Sequence, residues 1–233
     1  MVYDRTDDAR ILIPRIVRRT DGTAAGTGGL SKFWRLGGVY HRAALRAHAV
    51  FGATSWHEAL GFAATTAETM SRPIDELQFW GHGGFGFMLM DEEPLSAHSI
   101  QDQHSALVHR LKAQLRPSSL VWFRCCSAFG SADGKHFAKR MAAALGAGIA
   151  GHTHIIGFFQ SGLHLLRPFA EPHWSDDEGV ERNAQGAAQG ARESSIRGPN
   201  TITALRMGLP RWAAAEGQAT SPTPARGNGN GAP

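Results

Sequence analysis

The sequence predicts an α/β fold, a mostly parallel sheet with helices on both faces, from three observations. Apolar runs of strand length recur along the chain, stretches of helical period separate them, and cap or turn residues mark the junctions. Parallel neighbours require crossover connections, so this alternation implies a covered sheet rather than a meander. A chain of 233 residues, 42% hydrophobic and 19% charged, supports one sizeable core and is short for two. One α/β domain over 1–174 is therefore expected, followed by a C-terminal extension, 175–233, that is largely disordered.

Taken in order, 10–17 (Arg-Ile-Leu-Ile-Pro-Arg-Ile-Val) has the β-branched density of a first strand, with Pro14 marking its end or a bulge. The Gly/Thr/Ala-rich 20–29 is a loop. Its Gly26-Thr27-Gly28-Gly29 lacks the Lys-Ser/Thr of a phosphate-binding loop. From Tyr40 to Ala47 a short helix is expected, and 47–53 reads as a second strand. Ser55 sits where an N-cap belongs, before Trp56, Leu60, Phe62, Ala63 and Ala67 at helical spacing. Ser71-Arg72-Pro73 ends that helix. Ile74–Trp80 is the third strand and delivers His82 into Gly-His-Gly-Gly. A short apolar arm, 85–90, and a polar turn, Asp91-Glu92-Glu93-Pro94, follow. The stretch 97–115 carries Ile100, His104, Leu107, Val108, Leu111 and Leu115 on one side, as an amphipathic helix does.

A second strongly apolar strand, 119–126, ends at Cys126. Its helix, 134–145, stops at Gly146 as a C-cap, and Asp133 reads as its N-cap. Residues 148–157 form a further strand. Beyond Phe169 the composition turns polar and Gly-rich. Within it 201–212 keeps Ile202, Leu205, Met207, Leu209 and Trp212 for a short docked helix, while 221–233 has almost nothing to bury.

Composition narrows the function. No run approaches the roughly 18 apolar residues that span a bilayer, and the acidic start is unlike a secretory signal. A cytoplasmic protein without a membrane partner is expected. The 24 basic residues against 20 acidic ones, a net charge of +4, form no cluster, so nucleic acid is not an expected partner. The two cysteines, Cys125 and Cys126, are adjacent; neighbours in an extended strand point to opposite faces and close no loop, so they are not a structural disulfide.

In a parallel sheet, ligands bind beyond the carboxyl ends of the strands, and His82 and Cys126 both lie at such ends. A thiol nucleophile needs a base to take its proton and amides for the oxyanion. His82 supplies the first, Cys126 attacks, and the amides of Gly83 and Cys126 face the developing charge. Glycine at 83 would let a substrate approach the backbone closely.

An apolar strand ending in His-Gly, then a second ending in a small residue and Cys (Val121-Trp122-Phe123-Arg124-Cys125-Cys126-Ser127), resembles the caspase, legumain and gingipain superfamily of cysteine peptidases. The resemblance covers about residues 11–157, with Cys125 as the small residue and Arg124 an unusual interior one. It implies a three-layer caspase-like fold, a catalytic dyad of His82 and Cys126, a polypeptide substrate and no cofactor. The stretch 126–151 is also similar to bacterial caspase-like domains of uncertain activity. Two other readings stand beside it. One is a catalytically inactive caspase-like interaction domain. The other is a metal-dependent hydrolase using His82, His152 and His154, the latter two sharing a strand face. Asp91, Glu92 and Glu93 read as a solvated turn ahead of a pocket for a basic substrate residue.

Overall fold

The computed structural model describes residues 1–6, 17–18, 24–25, 30–157, 159–195 and 202–203. In chain order they form β1 (Val2–Asp4), β2 (Val17–Arg18), β3 (Ala24–Ala25), α1 (Leu30–Ala43), β4 (Phe51–Ala53), α2 (Trp56–Met70), β5 (Ile74–Trp80), β6 (Gly83–Gly84), β7 (Phe87–Met90) and β8 (Glu93–Ser96). There follow α3 (Ser105–Lys112), β9 (Leu115–Arg124), α4 (Ser131–Leu145), β10 (Gly148–His152), β11 (Phe159–Gln160), β12 (Leu163–Leu166), β13 (Val180–Arg182), β14 (Ala188–Ala191) and β15 (Ile202–Thr203).

Six strands make the central sheet in the order β12-β10-β9-β5-β1-β4, parallel except for β12, which runs antiparallel to β10. This is the mostly parallel α/β sheet that the sequence predicts. The chain leaves β1 toward β4, then returns across β1 to β5 and continues outward through β9 and β10. The direction of winding therefore reverses between β1 and β5. Such a reversal leaves a crevice at the carboxyl ends of the two strands, because their connections depart to opposite faces.

Strand alternation sorts the side chains. Val2, Leu77, Phe79, Val121 and Phe123 are fully or nearly fully buried in one apolar cluster, with Trp56, Leu60, Ala63, Val108, Leu111, Phe137 and Met141 from α2, α3 and α4. The alternate residues Tyr3 and Trp80 pack with Trp34 of α1 on the opposite face. Helices thus lie on both faces. The glycines of α1 permit close docking there: a β-carbon on Gly37 would lie 3.2 Å from the Trp80 ring, and one on Gly38 2.6 Å from Val50 Cγ1.

The expected cap of α2 forms, with Ser55 Oγ accepting from Glu58 N at 3.2 Å. Gly146 ends α4 in the left-handed region at φ 63°. Gly130, not Asp133, is the N-cap of α4, and Asp133 sits in its first turn. Of the helix expected over 97–115 only α3 forms. Ser96 and Ser99 exchange side-chain to backbone hydrogen bonds at 2.9 and 3.3 Å, which holds that stretch in turns. Ile100 is buried all the same. The expected first strand, 10–17, lies outside the described residues except for Val17. The sheet instead takes Val2–Asp4, whose two apolar residues, Val2 and Tyr3, stand beside acidic neighbours and show no strand period of their own. The helix expected at 40–47 belongs to the longer and earlier α1. Two strands are shorter than expected: β4 keeps only 51–53 of the expected 47–53, and β10 only 148–152 of 148–157.

Residues 175–195, assigned to the extension, pack onto the sheet. β13 pairs with β14, and Glu178 accepts from Thr153 Oγ1 at 3.0 Å and lies 2.7 Å from His164 Nε2. Burial alone would raise the Glu178 carboxyl, but the bonds from His164 and Thr153 outweigh it and hold the pKa below the usual range. The segment 204–233 lies outside the described residues.

Candidate active site

Parallel pairing of β5 with β9 aligns Leu77 with Val121, Phe79 with Phe123 and Trp80 with Arg124. Two residues further along each strand are His82 and Cys126. The strand ends that carry them are therefore neighbours at one edge, beside the crevice between β1 and β5. Gly83 confirms the closeness of the two turns: a β-carbon there would lie 2.8 Å from Cys125 Sγ and 3.0 Å from the Cys126 carbonyl oxygen. The space that glycine leaves is filled by the second cysteine turn, and by the Phe87 carbonyl oxygen at 3.0 Å. The expected reason for glycine, approach of a substrate, is replaced by a packing reason.

His82 is half-buried, and its ring meets the edge of Trp34 with centroids 5.3 Å apart. Its carbonyl accepts from Leu89 N at 2.9 Å, which ties the histidine turn to the β6-β7-β8 meander. Asp4, at the end of β1, is buried but committed: it accepts from Thr6 N at 2.9 Å, Thr6 Oγ1 at 2.7 Å and Asp91 N at 3.2 Å. It anchors the meander to the sheet.

The two thiols differ. Cys125 continues the alternation of Val121 and Phe123 into the apolar core, and burial pushes its pKa well up, with the neighbouring Cys126 adding to the effect. Cys126 is half-buried, and its thiol donates to the Ile156 carbonyl over 3.7 Å. Burial raises its pKa too, partly offset by the Ile156 main chain, so the resting group is a neutral thiol. The next amide, of Ser127, is spent on the His154 carbonyl at 2.9 Å, with Ser127 turned to φ 48°. The strand thus stops abruptly and leaves Cys126 at its lip.

The three histidines of the metal reading are not assembled. β10 ends at His152, so His154 falls in the following bend and strand alternation no longer places the two on one face. His152 is fully buried, accepts from Trp122 Nε1 at 3.3 Å through Nε2, and sets Nδ1 3.1 Å from the Ser161 carbonyl. His154 Nδ1 lies 2.9 Å from Thr153 Oγ1. Among the described residues no three His, Cys, Asp or Glu side chains are grouped to hold a metal ion. Glu93 is half-buried and engaged rather than free in a turn: its carboxylate accepts from Trp56 N at 3.1 Å and Gln103 Nε2 at 2.8 Å, and sits 3.2 Å from His104.

Sequence reasoning missed Trp34 and the Ile156 carbonyl. Both reach the site through tertiary packing, and neither belongs to a local pattern that names it. Arg124, seen only as unusual, is buried with its guanidinium 4.6 Å from the Trp80 ring centroid and 4.4 Å from that of Trp122, and it donates to Gln78 at 3.2 Å and Gln160 at 2.8 Å. Burial lowers its pKa to about 9, against the opposing pull of Glu76. Compared with known proteins, the chain matches no family model, no curated protein and no solved structure. Among the described residues no helix is long and apolar enough to cross a membrane.

Proposed function

We propose that the chain is a cysteine endopeptidase of caspase-like type, with His82 and Cys126 as its dyad. The observation that carries this reading is the β5-β9 register, which brings both strands to their carboxyl ends at one edge. Because the Cys126 thiol is neutral at rest, the reaction needs His82 as a general base during attack rather than a preformed ion pair. His82 takes the thiol proton as sulfur bonds to the peptide carbonyl carbon. The oxyanion meets the amides of Gly83 and Cys126. The C–N bond then breaks, His82 returns the proton to the leaving amine, and water hydrolyses the thioester.

The thiol's bond to Ile156 and its raised pKa favour a second reading, an inactive domain of the same fold that binds a partner at the strand ends. A mixed peptide library and iodoacetamide labelling at neutral pH separate the two. On the peptidase reading, Cys126→Ala lowers hydrolysis about a thousandfold or more, and His82→Ala lowers both hydrolysis and labelling by about a hundredfold. Hydrolysis that survives loss of Cys126, or labelling indifferent to His82, sinks the dyad. A protein that cleaves nothing while labelling at the rate of free cysteine leaves the interaction domain.

A further inference from the structure

The helix α1 carries apolar residues on two sides. The inner side, with Trp34, Gly37, Gly38 and His41, is docked on Trp80 and Val50. The close approach of the two glycines fixes that side inward, so the outer side cannot rotate into the core. That outer side presents Phe33, Leu36, Val39 and Tyr40, exposed by 68%, 65%, 57% and 45%. Their spacing makes one ridge along the helix. The loop after it ends the ridge with Leu45, 92% exposed on a left-handed backbone at φ 55°.

Charge accompanies the ridge with one sign only. Lys32, Arg35, Arg42 and Arg46 are all exposed, and no acidic residue occurs from Leu30 to His57. Among the described residues none of these four cations has a carboxylate partner. Arg42 donates to the His48 carbonyl at 3.2 Å and Arg46 lies 5.9 Å from the Tyr40 ring centroid.

We propose that α1 and the Leu45 loop form an adsorption surface for anionic lipid membranes. Phe33, Leu36, Tyr40 and Leu45 enter the headgroup boundary, and the four cations bind lipid phosphates from its flanks. A convex apolar ridge rimmed by long basic side chains is the pattern of an interfacial helix. A protein partner would have to bring a matching groove to a ridge that offers few hydrogen-bonding groups of its own. This is surface binding without spanning, and it departs from the sequence expectation of no membrane partner.

The test is co-sedimentation of the full chain with vesicles of phosphatidylcholine mixed with phosphatidylglycerol, against vesicles of phosphatidylcholine alone. Binding to the mixed vesicles only, weakened by added salt, is expected. Each basic residue near the surface contributes a factor of about five, so Arg35→Gln with Arg42→Gln should weaken binding about thirtyfold. Phe33→Ser with Leu36→Ser should weaken it on the order of a hundredfold. Leu45→Ser, at a fully exposed loop tip, tests the ridge without touching the helix, and circular dichroism checks that each variant keeps its fold. Failure to sediment with mixed vesicles, equal binding to neutral vesicles, or binding unchanged by these substitutions overturns the proposal. So does a dimer in light scattering that Phe33→Ser with Leu36→Ser dissociates, or capture by polyglutamate without vesicle binding; these would assign the ridge to a second copy or an acidic polypeptide.

Discussion

The two faces of the central sheet are built from the same strands in opposite ways. On one face Leu77, Phe79, Val121, Phe123 and Cys125 merge with three helices into a single apolar cluster. On the other, the alternate residues Gln78, Trp80, Trp122 and Arg124 form a buried polar and aromatic stack, with His152 against Trp122 and Gln160 against Arg124. Extended alternation past the strand ends would assign His82 and Cys126 to this second face and Cys125 to the first. The apolar face is held by many non-directional contacts, so a substitution there costs in proportion to the volume it removes. The polar face depends on a few partners, each needed to satisfy another, and that is where the candidate chemistry sits.

Substitutions can break or sharpen this contrast. The largest effect is expected on the apolar face. Phe123→Ala removes a ring stacked on Phe79 at 5.6 Å and packed edge-on to Phe137 at 5.4 Å, and should lower stability by about 4 kcal/mol in denaturant unfolding. On the polar face, Arg124→Ala should cost about 3 kcal/mol, because it deletes two cation–π contacts, takes the Arg124 donor from the buried Gln160 oxygen and leaves the Gln78 oxygen with Trp80 Nε1 at 2.8 Å. Arg124→Met restores the volume and not the donors. If it is as stable as the parent chain, the polar face is held by packing alone and the contrast fails.

His152 gives the polar face a pH signature in the acid range. Burial holds its pKa at about 3, with Arg124 adding to the effect and the Ser161 backbone opposing it, below the 6.5 of an exposed histidine. The unfolded chain takes up this proton as pH falls below 6.5 and the folded chain does not. Stability is therefore complete above that pH and declines toward pH 3, by about 1.4 kcal/mol per unit or about 2 kcal/mol at pH 5. His152→Gln should remove that part of the slope, read from unfolding midpoints across the acid range. The smallest effect is expected at the edge of the apolar face. Ser55→Ala, which uncaps α2, should cost about 1 kcal/mol.

Much of the scaffold was legible in local pattern. The apolar runs of β5 and β9, the Ser55 cap and the Gly146 stop each state a preference that a few adjacent residues express, and each survives folding. The boundaries that failed are those where a local preference met a competing bond. The 97–104 stretch has helical spacing, yet Ser96 and Ser99 close a turn there. β9 begins early, at Leu115, because Leu115 pairs with Ile74 ahead of an irregularity beyond which Leu120 pairs with Glu76, and Arg116 N finds Ser119 Oγ at 2.8 Å around Pro117.

The sequence by itself determined the alternation of strands and helices from Ser55 to Gly146 in its main elements, and it placed His82 and Cys126 each at the end of an apolar strand, because periodicity and caps act over a few residues. Only the tertiary structure decided that β5 and β9 are neighbours, that Gly83 is glycine to admit the Cys125 turn, and that Trp34 walls His82. It also took the folded chain to bury Arg124 between two tryptophans and to commit both ring nitrogens of His152. Those facts depend on contacts between residues far apart along the chain, and on burial, which sets both the strength of a hydrogen bond and the protonation of the groups that make it.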